Sequence, residues 1–148
     1  MSPEEAGTAP EISVVIPVFN ERESLPFLCE KLNASLDRIP RPSEILFVDD
    51  GSGDGSFDVI RELSGRYPRI RALGFRRNYR KAAALAAGFK AARGEVIVTM
   101  DADLQDDPEE IENLLAALDD DKDLVTGWKK KRLDPLSKTL PSRLFNLV

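Results

Sequence analysis

The chain has 148 residues, 42% of them hydrophobic, which is enough for one buried core but not two, so a single ordinary domain is expected. It contains no histidine and one cysteine, Cys29, which excludes a disulfide framework and a conventional zinc site and fits a reducing compartment. The net charge of −5 hides an asymmetry: residues 127–148 hold six basic side chains and one acid, net +5, which leaves −10 for residues 1–126. An acidic body, with a basic run that lacks interleaved aromatic platforms, argues against a nucleic-acid partner.

Residues 1–10 are small, acidic and proline-containing, and read as a disordered leader without the basic and apolar regions of a targeting peptide. The apolar run at 12–18 is the first predicted strand. Ser24 is placed to cap a helix reaching about Ile39, with Leu25, Leu28, Leu32 and Leu36 near helical spacing, and Pro40 and Pro42 stop it. A second strand over 44–49 enters a Gly-Ser-Asp turn, followed by a helix from about Ser56 to Tyr67. Residues 70–74 make a short strand, Lys81 to Ala92 an alanine-rich helix, and 95–100 a further strand. Asp107 and Pro108 open a helix with acids in its first turn that ends near Leu118, and Leu124 to Thr126 is a last predicted strand. This alternation predicts an α/β fold with a doubly wound, mostly parallel sheet and helices on both faces.

Three of the apolar runs, VVIPVFNE, ILFVDDGS and VIVTMDADLQDDP, end in acidic or polar residues. Ligands of open α/β sheets bind outside the carboxyl ends of the strands, so Glu21, Asp49, Asp50, Asp101 and Asp103 are expected to line one crevice. Carboxylates gathered there repel one another unless a cation or a donor-rich ligand lies between them. Asp101 and Asp103, two positions apart after a strand, can face one ion, and Gln105 can add a carbonyl oxygen. Hard oxygen ligands suit magnesium or manganese, which keep water and substrate phosphate in their sphere. The acids at 106, 107, 109, 110 and 112 read instead as ordinary helix-start charges.

The loop Asp49-Asp50-Gly51-Ser52-Gly53-Asp54-Gly55 permits positive φ and close backbone approach, yet it matches neither a dinucleotide fingerprint nor a P-loop. A carboxylate here can accept from a nucleobase N–H or a ribose hydroxyl; a surface turn with an Asp helix cap is the competing reading, and it explains Asp54 better than Asp50. In Pro17-Val18-Phe19-Asn20-Glu21, Phe19 offers a flat face for a base and Glu21 an acceptor. Arg76-Arg77-Asn78-Tyr79-Arg80-Lys81 can hold a diphosphate against the carboxylates, or be solvated charge. The basic residues Lys129, Lys130, Lys131, Arg132, Lys138 and Arg143 suit an anionic lipid surface, a phosphorylated substrate or plain solvation.

Together, PVFNE, VDDGSGD, NYRKAAAL and DADLQDDPEE resemble, in order and spacing, the family 2 glycosyltransferases, and among them the polyprenyl-phosphate sugar transferases of the dolichyl-phosphate mannose synthase and bactoprenol glucosyltransferase group. The match spans residues 12 to about 146. The resemblance implies a GT-A fold, a nucleotide-sugar-binding catalytic domain over 11–128, and a basic acceptor or membrane-proximal segment over 129–148 that is truncated. It implies that Pro17, Phe19, Glu21, Asp49, Asp50, Lys81, Asp101 and Ala102 bind the nucleotide. Asp101, Asp103 and Gln105 would hold Mg2+ or Mn2+, with Asp103 and Arg132 catalytic and Arg132, Lys138 and Ser142 on the acceptor phosphate. The expected partners are a UDP- or GDP-linked sugar, a polyprenyl phosphate and a membrane surface, reached at the cytoplasmic, inner face through segments this chain lacks; a homo-oligomer is left open. Relatives often show glycine where this chain has Arg80, which leaves the local backbone and the role of Lys81 open.

The reaction so implied is a single inverting sugar transfer, and the absence of a Gln-X-X-Arg-Trp signature fits a non-processive enzyme. With no histidine, any general base would be a carboxylate or another group. Two alternatives stand beside it. One is a magnesium-binding phosphoacceptor receiver domain, although receiver domains carry their acidic pair after the first strand. The other is a sugar-nucleotide-binding module without catalysis.

Overall fold

The computed structural model describes residues 8–118 and 120–127. In chain order the elements are β1 (Ile12–Val18), α1 (Leu25–Asp37), β2 (Ser43–Asp49), α2 (Ser56–Arg66), β3 (Ile70–Gly74), α3 (Lys81–Ala91), β4 (Val96–Thr99) and α4 (Glu110–Ala117). All strand pairings are parallel and the order is β3-β2-β1-β4, so the chain winds outward from β1 through β2 to β3 and then returns to the other side of β1. The order therefore reverses between β1 and β4, the place where open α/β sheets leave a crevice.

The two central strands, β1 and β2, are largely apolar along both faces because both faces are covered there, whereas the edge strand β4 leaves Ile97 40% exposed. On one face Ile12, Val14, Ile16 and Val18 of β1 join Ile45 and Phe47 of β2 in a cluster with Leu25, Leu28, Leu32 and Leu36 of α1, Ile60 and Leu63 of α2 and Ile111 of α4. On the other, Val15, Leu46 and Val48 pack on Ala84, Leu85 and Ala87 of α3. Small residues let α3 lie close to the sheet: a Cβ on Gly88 would come 2.3 Å from Val15 Cγ1.

At the amino edge of the sheet a buried charge is satisfied within the fold. Glu44 accepts from Ser13 Oγ at 2.7 Å, the Arg93 N–H at 2.8 Å and Arg71 Nη1 at 2.9 Å, while Arg71 also donates to Ala91 O at the end of α3. Burial, the largest single influence, pushes its carboxyl up, but the hydrogen bonds and the guanidinium together hold it below the usual range.

Two expectations are corrected. Residues 124–126 form no strand: two apolar residues and a threonine after an acidic stretch are too short a run to add to the sheet, and Leu124 is 81% exposed. Ser24 occupies the N-cap position of α1 but makes no side-chain cap bond, because its hydroxyl is used elsewhere. Among the described residues no helix is long and apolar enough to cross a membrane.

Candidate functional site

The carboxyl ends of β1 and β4, the loop after β2 and the start of α3 enclose an open crevice of about 640 Å³, lined by Pro17, Val18, Phe19, Glu21, Asp50, Asn78, Arg80, Lys81, Asp101, Ala102 and Asp103. Residues more than 80 positions apart in sequence thus meet at the topological switch point.

Asp50 is the most firmly held of the acids. Buried at 3% exposure, it accepts from the Tyr79 N–H at Oδ1 (2.7 Å) and from Asn78 Nδ2 at Oδ2 (3.0 Å). This grip depends on Gly51, whose φ of 72° brings it against the Arg77–Asn78 backbone so closely that a Cβ would lie 2.3 Å from the Arg77 carbonyl carbon. Glu21 is fixed by its own N–H, which donates to Ser56 Oγ (3.0 Å), and by a 3.0 Å contact between Ser24 Oγ and Glu21 Oε2. Ser24 Oγ also lies 2.8 Å from Ala102 O, so one hydroxyl links the loops after β1 and β4. Phe19 is 48% exposed at the mouth, available to a flat ligand.

After β4, the Asp101 N–H donates to Asp106 Oδ2 at 2.8 Å and the Gln105 N–H to Asp103 Oδ1 at 3.1 Å, around Leu104 at a φ of 65°. Lys81 Nζ donates to Asp101 Oδ1 across the crevice. Arg80 has φ 77° and ψ 163°, a region that only glycine enters freely and that costs a side-chain-bearing residue about 1–3 kcal/mol. The backbone left open by the departure at Arg80 thus keeps a conformation suited to glycine, and Lys81 still reaches the acids.

Most predicted residues converge, and some do not. Asp49 lies beneath the loop and outside the crevice lining: its Oδ2 accepts from the Ser52 N–H at 3.1 Å and its Oδ1 is buried without a partner among the described residues. Gln105 is likewise absent from the lining, as are Arg76 and Arg77, the latter placed 4.8 Å over the Tyr79 ring. Arg132, Lys138 and Ser142 lie outside the described residues. Asp54 belongs to the turn before α2 and not to the crevice, but the N-cap itself is Gly55: Asp54, one position earlier, accepts from the Ser56 N–H at 3.0 Å, and the Ser56 hydroxyl at 2.6 Å is the main cause of its lowered pKa. Sequence reasoning gave Asn78, Ser24 and Asp106 no individual role in the site. Only the position of Asn78 before Arg80 and Lys81 hinted at one.

The donor set fits a hard divalent cation. Asp101 and Asp103 both line the crevice, and their hard oxygen atoms are the donor type that magnesium or manganese takes alongside water and substrate phosphate; among the described residues there is no group of three or more His, Cys, Asp or Glu that could hold an ion.

Residues 13–145 match the model of glycosyl transferase family 2. The undecaprenyl-phosphate 4-deoxy-4-formamido-L-arabinose transferase of Yersinia enterocolitica is 39% identical over 139 residues, 93% of this chain and 42% of that protein. The protein of the same name from Pectobacterium atrosepticum is 43% identical over 138 residues, with the same coverage. The chain therefore spans about two fifths of the length of these curated relatives. Among solved structures, a mannosyltransferase from Pyrobaculum calidifontis in complex with GDP-Man and Mn2+ aligns with a TM-score of 0.59 at 26% identity, covering 73% of this chain and 32% of that one. Mannosyl-3-phosphoglycerate synthase from Rubrobacter xylanophilus aligns with a TM-score of 0.60 at 21% identity, over 72% of this chain and 35% of that one, a likeness of fold. These likenesses are to GT-A glycosyltransferases, and neither the receiver domain nor the non-catalytic module is favoured.

Proposed function

The chain belongs to glycosyl transferase family 2, and we propose that it is the nucleotide-sugar-binding part, residues 11–128, of an inverting transferase that moves a sugar from a nucleoside diphosphate to a polyprenyl phosphate. The observation that carries this reading is the meeting of Asp50, Asp101, Asp103, Lys81 and the Pro17–Glu21 loop in one crevice. Curated relatives named for sugar transfer to undecaprenyl phosphate support the acceptor class.

In this reading Phe19 lies along the base, and Glu21 and the anchored Asp50 accept from its N–H groups or from ribose hydroxyls. Asp101 and Asp103 would hold Mg2+ or Mn2+, with Gln105 beside them. The bound cation supplies Lewis-acid stabilisation to the diphosphate as negative charge grows on it. An acceptor phosphate oxygen forms a bond to the anomeric carbon while the bond from that carbon to the diphosphate breaks on the opposite face. The acceptor's second ionisation falls near neutrality, so it arrives charged and the protein has mainly to align it. That alignment falls to the basic segment 129–148 with Arg132, Lys138 and Ser142, which would also meet the inner face of the membrane.

Thermal shift of the protein with UDP or GDP, with and without Mn2+, tests the donor reading, because a ligand that binds the native state raises the apparent melting temperature. One of the two is expected to stabilise the protein, more so with the metal, and Asp103→Ala is expected to abolish the metal-dependent part. Metal-dependent affinity that survives Asp103→Ala would remove Asp103 from the site.

A further inference from the structure

The backbone and the side chain of Arg80 make opposite demands. Its backbone lies in glycine territory and is held there from both sides: Asn78 and Tyr79 grip Asp50, and the first hydrogen bonds of α3, from the Ala83 and Ala84 N–H groups, return to Arg80 O at 3.1 and 3.2 Å. Its side chain is exposed, lines the crevice, and has no ion pair or hydrogen bond among the described residues. Of the two cations that line the crevice, Lys81 is engaged by Asp101, while Arg77, outside the lining, lies over the Tyr79 ring. Four carboxylates, Glu21, Asp50, Asp101 and Asp103, share the crevice, yet Arg80 pairs with none of them. An uncommitted guanidinium at such a place is available to an anion that arrives with the ligand, and its planar fork matches two phosphate oxygens.

We infer that Arg80 binds the diphosphate of the sugar donor, as the crevice's free cation among the described residues, in a backbone conformation that a glycine would adopt more easily. This assignment rests on the nucleotide-donor reading above and adds to it a specific residue for the phosphates. It separates two quantities that ordinarily fall together, the stability of the free protein and its affinity for the donor.

The test uses R80G and R80K in the intact protein, with UDP and GDP in MnCl2 by titration calorimetry, uridine and guanosine by ligand-observed NMR, and melting without ligand. R80G is expected to melt no lower than the parent, since glycine takes this backbone freely, while its affinity for the diphosphate falls about tenfold or more, as loss of a charge-assisted hydrogen bond implies. Affinity for the phosphate-free nucleoside should be unchanged, and R80K should lose diphosphate affinity by a smaller factor. Diphosphate affinity in R80G equal to the parent's would overturn the assignment. So would equal losses for nucleoside and diphosphate, or a lower melting temperature, either of which makes Arg80 structural. A parent protein that binds neither diphosphate overturns the donor reading itself.

Discussion

Gly51 shows how much of the site rests on a single missing methyl. With φ at 72° and Arg77 backbone atoms where a Cβ would stand, Gly51→Ala meets both strain and a clash that no flexible side chain can relieve. The expected cost is about 2–4 kcal/mol by denaturant unfolding, with nucleotide affinity falling as well because Asn78 and Tyr79 move off Asp50. A variant that unfolds like the parent but no longer binds nucleotide would point to the grip on Asp50 alone. Cys29 makes a quieter case. Burial pushes its thiol up to about 11 even though Asn33 and Arg66 pull the other way, so it stays protonated and inert. Iodoacetamide at pH 8 should leave it unmodified in the native protein and label it only when the chain unfolds.

Eight elements of the fold could be read from the chain with ends within three residues, because apolar runs of buried parallel strands and the breaks at Pro40, Pro42, Gly51 and Gly53 are local signals. The failures are of two kinds, one of length and the others of contacts made far along the chain. Leu124 to Thr126 has strand composition but no stretch long enough to hold a place in the sheet. Ser24 looks like a cap, yet its hydroxyl is drawn to Ala102, 78 residues away. Asp49 and Asp50 cannot be told apart by type; which one reaches the crevice depends on the pleat and on where the 75–80 loop lies. The contact between α3 and the sheet was also invisible in an alanine-rich sequence. Gly88→Ala, with its methyl 2.3 Å from Val15 Cγ1, should push α3 away and cost about 1–3 kcal/mol in urea unfolding, with an unchanged denaturant slope.

Across the whole molecule, acid should loosen the fold. The carboxyls of Glu44 and Asp54 are both held below their ordinary values of 4.5 and 3.8, so the folded protein binds their protons less tightly than the unfolded chain does. Their contribution is complete above those values and is lost as pH falls through the lower folded ones. Urea midpoints should therefore drop on acidification below about pH 4.5, and Glu44→Gln should flatten that part of the profile. The two ends of the sheet differ in what becomes of their charge. Glu44 is neutralised by Arg71 from within, whereas the opposite rim keeps four acids against Arg80 and Lys81. That surplus imposes an order of arrival: a bare nucleotide meets repulsion on approach, and a chelate already carrying its ion does not. Nucleotide alone should thus bind better as added salt screens the rim, while the chelated form gains nothing from it.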